Sequence, residues 1–133
     1  MRTSNFLAAL ALGATAAVYA GSVLAADTGE SLFEQNCSAC HQLNGKGIPG
    51  AFPALAGNKF VQGPPEPVAS TVLNGRGGMP TFGPDLSNET IASILTYVRS
   101  AWGNQAEPIT PALVGSVRGG KTPENPAGAL QAH

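Results

Sequence analysis

The chain has 133 residues, of which only 15 are charged, seven basic and eight acidic, for a formal net charge of −1. That length holds no more than one domain of ordinary size. The charge balance excludes nucleic-acid binding through bulk positive charge, and two cysteines exclude a disulfide-dense scaffold or a four-thiolate metal site. With 17 Gly and 11 Pro, much of the chain is turn and loop. Such a chain fills a core poorly with side chains alone, and a tightly held apolar cofactor would complete it.

Residues 1–26 read as an export signal. Met1-Arg2 is a short positive start, and Phe6 to Ala20 is apolar or small and uncharged. Gly21 to Ala26 supplies the small residues of a cleavage site. Cleavage is expected after Ala25, which places Val23 at −3, or after Ala26, which places Leu24 there. The expected location is the periplasm. Phe6 to Ala26 is also 21 residues without a charge, close to the roughly 20 that a membrane span needs. It is rich in Ala and Gly, so membrane attachment is expected only if the segment stays uncleaved. The mature chain is mildly acidic and works in an oxidising compartment.

Helices with long loops between them are expected, and no strand pattern exceeds three residues. Asp27 or Thr28 caps a first helix that runs to about Cys40. Gln42 to Gly63 is dense in Gly and Pro and reads as loop. A short helix follows from Val68 to Leu73, stopped by Asn74-Gly75. Gly75 to Pro84 is again irregular. Ser87 caps the longest helix, Asn88 to Trp102, whose Ile91, Ile94, Leu95, Val98 and Trp102 fall on one face. Residues 105–133 hold four prolines, four glycines and no apolar period. They are expected to form a flexible tail, with docking to a partner as the alternative.

The chemistry lies at Cys37-Ser38-Ala39-Cys40-His41. C-x-x-C-H is the attachment motif for c-type haem. Two thiols three residues apart reach the two vinyl groups of one porphyrin, and the imidazole of the next residue becomes the proximal iron ligand. A redox dithiol prefers a βαβ context that is missing here. A zinc site needs four ligands and finds Cys37, Cys40, His41 and the remote His133. A plain Cys37–Cys40 disulfide explains neither His41 nor the export signal. The expected cofactor is one covalent haem c.

If the first 26 residues are removed, Met79 is the remaining methionine. It sits in Gly75-Arg76-Gly77-Gly78-Met79-Pro80, where glycines let the backbone approach a flat ring and Pro80 stiffens the turn. Few apolar neighbours surround it in sequence, which argues against core filling. Met79 is expected as the second axial ligand, with a vacant or water-filled site as the alternative.

From Asp27 to Asn104 the sequence resembles a class I, mono-haem cytochrome c. The matching residues are CSACH in the first helix, Gly78-Met79-Pro80, and the amphipathic last helix. Arg76 to Asn104 is similar to the small periplasmic domains that partner dehydrogenases, nitrite reductases and haem-copper oxidases. The resemblance implies an all-α cytochrome c fold, with N- and C-terminal helices crossing and Gly/Pro-rich loops around one haem. The implied organisation is a signal peptide at 1–26, a cytochrome domain at 27–104 and the tail at 105–133. The resemblance places Gly29 and Tyr97 at the helix crossing, with Phe33 beside them. It makes Pro53, or Pro49 in its stead, the residue whose carbonyl accepts the His41 imidazole N–H. It also puts Leu55 against the ring, while Arg76 is a candidate partner for a haem propionate.

Met/His ligation closes both faces of an iron and favours electron shuttling over catalysis or gas sensing. The sequence therefore predicts a periplasmic electron carrier and no enzyme. The expected donor is a periplasmic dehydrogenase, and the expected acceptor a terminal oxidase or reductase. The alternative is a cytochrome subunit held stably in a larger oxidoreductase. A small haem peroxidase or gas sensor would require that Met79 leave the resting iron free. Lys46, Lys59 and Arg76 flank the haem motifs, as ordinary solvated charges or as a weakly basic docking rim.

Overall fold

The computed structural model describes residues 27–120. Residues 1–26, expected as an export signal, and residues 121–133 lie outside them. Five helices follow in chain order: α1 Gly29–Asn36, α2 Ser38–His41, α3 Pro65–Asn74, α4 Asn88–Ser100 and α5 Pro111–Arg118. Two isolated bridges, Ile48 with Phe52 and Arg76 with Met79, are the extended pairings among the described residues.

Thr28 caps α1, its hydroxyl accepting from the Ser31 N–H at 3.2 Å, and Glu30 complements the positive end of the helix. The single helix expected to reach Cys40 is broken at Cys37, whose φ of −127° leaves helical space. A single further turn, α2, carries the chain to His41, and Gln42 ends it with φ 63°. α3 starts at Pro65 rather than Val68. Its first-turn prolines cost no hydrogen bond because those N–H groups have no partner inside a helix. Ser87 caps α4 by accepting from the Thr90 N–H at 3.1 Å.

α4 stops at Ser100, two residues before the expected end. Trp102 takes a left-handed φ of 54°. That turn lays its indole against α1, 5.1 Å from the Phe33 ring and 5.5 Å from Tyr97. The indole N–H donates to the Leu43 carbonyl at 3.0 Å. Where α1 crosses α4, a Cβ on Gly29 would stand 2.3 Å from the Ser93 carbonyl oxygen and 3.0 Å from the Tyr97 Cβ. The crossing therefore requires glycine at this position.

The apolar residues gather in two clusters. Phe33, Val61, Ile94 and Val98 form one, with Leu55, Tyr97 and Trp102 packed on it. Val68, Ala69, Leu73, Ile91, Ala92, Leu95, Ile109 and Val114 form the other. Ile109 and Val114 correct the expectation of a flexible tail from residue 105. Residues 105–120 are folded, and α5 packs on α3 and α4. Thr110 caps α5 and Pro111 starts it. Val114 is fully buried, worth roughly 1.5–3 kcal/mol, and Ile109 and Leu113 add apolar contacts to the same cluster. The Gly and Pro content of the whole segment had masked this local pattern.

Candidate haem site

α2 and the loop after it build one wall of the site. Cys37 and Cys40 are partly buried and free of disulfide. Burial, and then the neighbouring Cys40, push the Cys37 thiol up to about 11. That shift runs opposite to the depressed value of a reactive redox thiol. His41 is buried, and its Nδ1 lies 3.0 Å from the Pro53 carbonyl oxygen. A carbonyl only accepts, so Nδ1 carries the proton and Nε2 keeps its lone pair. Pro53 holds this place and Pro49 does not.

The loop is folded tightly enough to aim that carbonyl. Gly47 N–H donates to the His41 carbonyl at 2.9 Å, and Leu55 and Ala56 N–H both donate to the Gly45 carbonyl. A Cβ on Gly47 would meet the Phe52 carbonyl oxygen at 2.3 Å, and one on Gly45 would strike the Trp102 ring at 2.4 Å. Leu55 packs on the Phe33 cluster. A cavity of about 360 Å³ opens between Lys46 and Ala54, over Phe52 and Pro53.

Met79 lies on the other loop, partly buried, in a turn closed by reciprocal bonds with Arg76 at 3.3 and 3.0 Å. Gly75 has φ 73°, and a Cβ there would sit 2.6 Å from the Met79 carbonyl oxygen. The chain beyond Met79 is fastened to the end of α3. Thr81 Oγ1 and the Gly83 N–H both donate to the Leu73 carbonyl, and the Phe82 N–H donates to that of Val72. Arg76 is exposed and lies over the Phe60 ring, 5.2 Å from its centroid. That contact brings the Met79 turn against the loop that follows His41.

Two buried polar side chains that the sequence reading missed hold the loops to the helices. Asn104 accepts from the Gly57 N–H at 2.8 Å and donates to the carbonyls of Leu55 and Val98. Arg99 donates to the carbonyls of Val61, Gly63 and Glu107 at 2.6, 2.9 and 2.8 Å. Burial pulls the Arg99 guanidinium below its ordinary value, and Glu107 and Glu66 oppose that shift. The remaining signal for both was weak: a polar residue on the apolar stripe of α4, and an asparagine after its end.

The donors suit a haem. Two unbridged thiols, Cys37 at the junction of α1 and α2 and Cys40 within α2, stand beside an imidazole whose tautomer is set by a carbonyl. Leu43, Ile48, Phe52 and Phe60 are large apolar side chains 39–60% exposed in the surrounding loops. This is surface that a flat apolar ring would cover. Among the described residues, no group of three or more His, Cys, Asp or Glu side chains is placed to hold a bare metal ion.

Comparison with known proteins agrees. Residues 24–98 match the family described as cytochrome c oxidase, cbb3-type, subunit III, and the chain belongs to this cytochrome c family. The family is one of electron carriers, and the cofactor of the chain is covalent haem c. The chain is similar to the cbb3-type cytochrome c oxidase subunit FixP of Azorhizobium caulinodans, 39% identical over 88 residues, covering 64% of this chain and 30% of the relative. It is also similar to the fructose dehydrogenase cytochrome subunit of Gluconobacter japonicus, 36% identical over 107 residues, 69% of this chain and 22% of that subunit. A cytochrome c-552 of Thermus thermophilus is 36% identical over 92 residues, 57% of this chain and 69% of the relative. The chain thus spans less than a third of the oxidase and dehydrogenase subunits it matches.

Proposed function

We propose that the chain is a periplasmic electron-transfer protein whose haem is held through Cys37 and Cys40, with His41 and Met79 as the axial ligands. When bound, the haem supplies a one-electron iron couple. The observation that carries the reading is the 3.0 Å contact between His41 Nδ1 and the Pro53 carbonyl. It orients the imidazole, leaves Nε2 free to ligate, and raises its basicity. Met79 is a partly buried thioether in the Gly75–Pro80 loop, a soft ligand that would favour the reduced state. The Gly75–Met79 turn and the α3 anchors hold it there. The exposed apolar side chains of Ile48, Phe52 and Phe60 would be available to shield the ring from water. With His41 and Met79 to hold the iron, the bound haem would supply electron exchange at a brief contact with redox proteins. Those partners are a dehydrogenase as donor and a terminal oxidase or reductase as acceptor. Residues 1–26 direct export and are cleaved after Ala25 or Ala26.

A second reading is a cytochrome subunit fixed within a larger oxidoreductase. The relatives favour it, being named as subunits of an oxidase and a dehydrogenase. Stoichiometric co-purification with such an enzyme separates it from a free carrier. The ligand assignment is tested by optical spectra of the purified holoprotein. A weak near-infrared sulfur-to-iron band in the oxidised form, abolished by Met79→Ala, is the expected result. A missing band with ready carbon monoxide binding to the reduced form would overturn it.

A further inference from the structure

One side chain of α5 hydrogen-bonds the loop that carries Met79, beside the apolar packing of Leu86 on the Val114 cluster. Arg118, at the last position of α5, donates to three acceptors. Nε donates to Asn88 Oδ1 at 2.8 Å and Nη2 to the Leu86 carbonyl at 2.8 Å. Nη1 donates to the Gly83 carbonyl. Gly83 and Leu86 lie four and seven residues after Met79, in the stretch between Met79 and the Ser87 cap of α4. The first part of that stretch is tied to α3 through Thr81, Phe82 and Gly83. The second part is a turn, with the Asp85 and Leu86 N–H groups donating to the Phe82 carbonyl. Arg118 supplies the side-chain hydrogen bonds from α5 to this turn. The guanidinium is planar with fixed donors, so engaging three acceptors sets the position of all of them at once. α5 itself is anchored by fully buried Val114.

We propose that Arg118 is a positioning residue for Met79. By fastening the Gly83 and Leu86 carbonyls to the end of α5, it holds the Met79 loop closed and keeps outside ligands from the iron. The inference rests on Met79 being the axial ligand. An outside ligand that displaces Met79 must first open its loop, so its apparent affinity is reduced by the fraction of time the loop is open. Removing Arg118 raises that fraction.

The test uses the full-length ferric holoprotein and imidazole as the competing ligand. Arg118 is exposed, so its replacement removes the ties without opening a core. Arg118→Ala is expected to keep the near-infrared band at neutral pH yet bind imidazole about tenfold more tightly. That is the order set by losing two or three solvent-exposed hydrogen bonds. Amide hydrogen exchange at Phe82, Gly83 and Leu86 is expected to rise by a similar factor, with α1 unchanged. Arg118→Lys, which keeps the charge without the fork, is expected to fall between, and it reads the same quantities should the alanine variant not fold. Imidazole affinity and loop exchange within twofold of the parent, in a protein that shows the band, would overturn this proposal alone. A parent lacking the band and binding imidazole as Met79→Ala does would overturn the ligand assignment, and this proposal with it.

Discussion

The two halves of the molecule are held together by different forces. The half built from α3, α4 and α5 closes over Val68, Leu73, Ile91, Leu95, Ile109 and Val114, an apolar cluster of the ordinary kind. The half that contains residues 42–63 has long loops and few buried apolar side chains of its own, with Val61 its main contribution. It is pinned instead by polar side chains reaching out from elsewhere: Asn104, Arg99, the Trp102 indole and the His41 imidazole. Hydrophobic burial is tolerant of exact geometry, whereas hydrogen bonds to loop carbonyls fix positions. The helical half is thus suited to supply stability, and the loop half to supply placement around the haem.

The sharpest break between the halves is expected from removing the thiols. Cys37→Ser with Cys40→Ser should abolish covalent haem, read as loss of haem absorbance in denaturing electrophoresis. Amide exchange in 42–63 should then rise further than in α3 to α5. Equal loss of protection in both halves would erase the distinction. Next comes Ile91→Ala, which leaves a cavity in the helical cluster and should cost about 3 kcal/mol in denaturant unfolding, without moving the haem spectrum. Asn104→Ala should cost about 2 kcal/mol by orphaning the Leu55 and Val98 carbonyls and the Gly57 N–H. Unlike Ile91→Ala, it should also perturb the haem spectrum, because the loop loses its pin.

Thr110→Ala removes the cap of α5 and should cost about 1 kcal/mol. The smallest effect concerns the helix crossing. Burial first, and then Glu30 and Glu34, raise the Tyr97 phenol above its ordinary value of 10.0. The folded state therefore holds that proton more tightly than the unfolded chain does. The resulting stability is complete below pH 10.0 and fades as pH rises through the folded value. Tyr97→Phe should flatten that decline in pH-dependent unfolding.

Much of this was legible in sequence because it rests on local rules. Thr28 and Ser87 cap where a hydroxyl before an apolar period is expected to cap. The spacing of Cys37, Cys40 and His41 states its own chemistry, whereas Gly29 at the crossing and Pro53 on His41 were expected only from the family resemblance. α5 escaped because the composition of the segment outweighed the Thr110-Pro111 start and the buried spacing of Ile109 and Val114.

The sequence by itself determined the cofactor motif and the starts of α1 and α4, since each is set by residues within a few positions of one another. Only the tertiary structure decided that Arg99, Asn104 and Arg118 serve loop carbonyls 8 to 49 positions away. Backbone carbonyls carry no residue identity, so the partner of a buried donor is written in the path of the folded chain and nowhere in the order of its side chains.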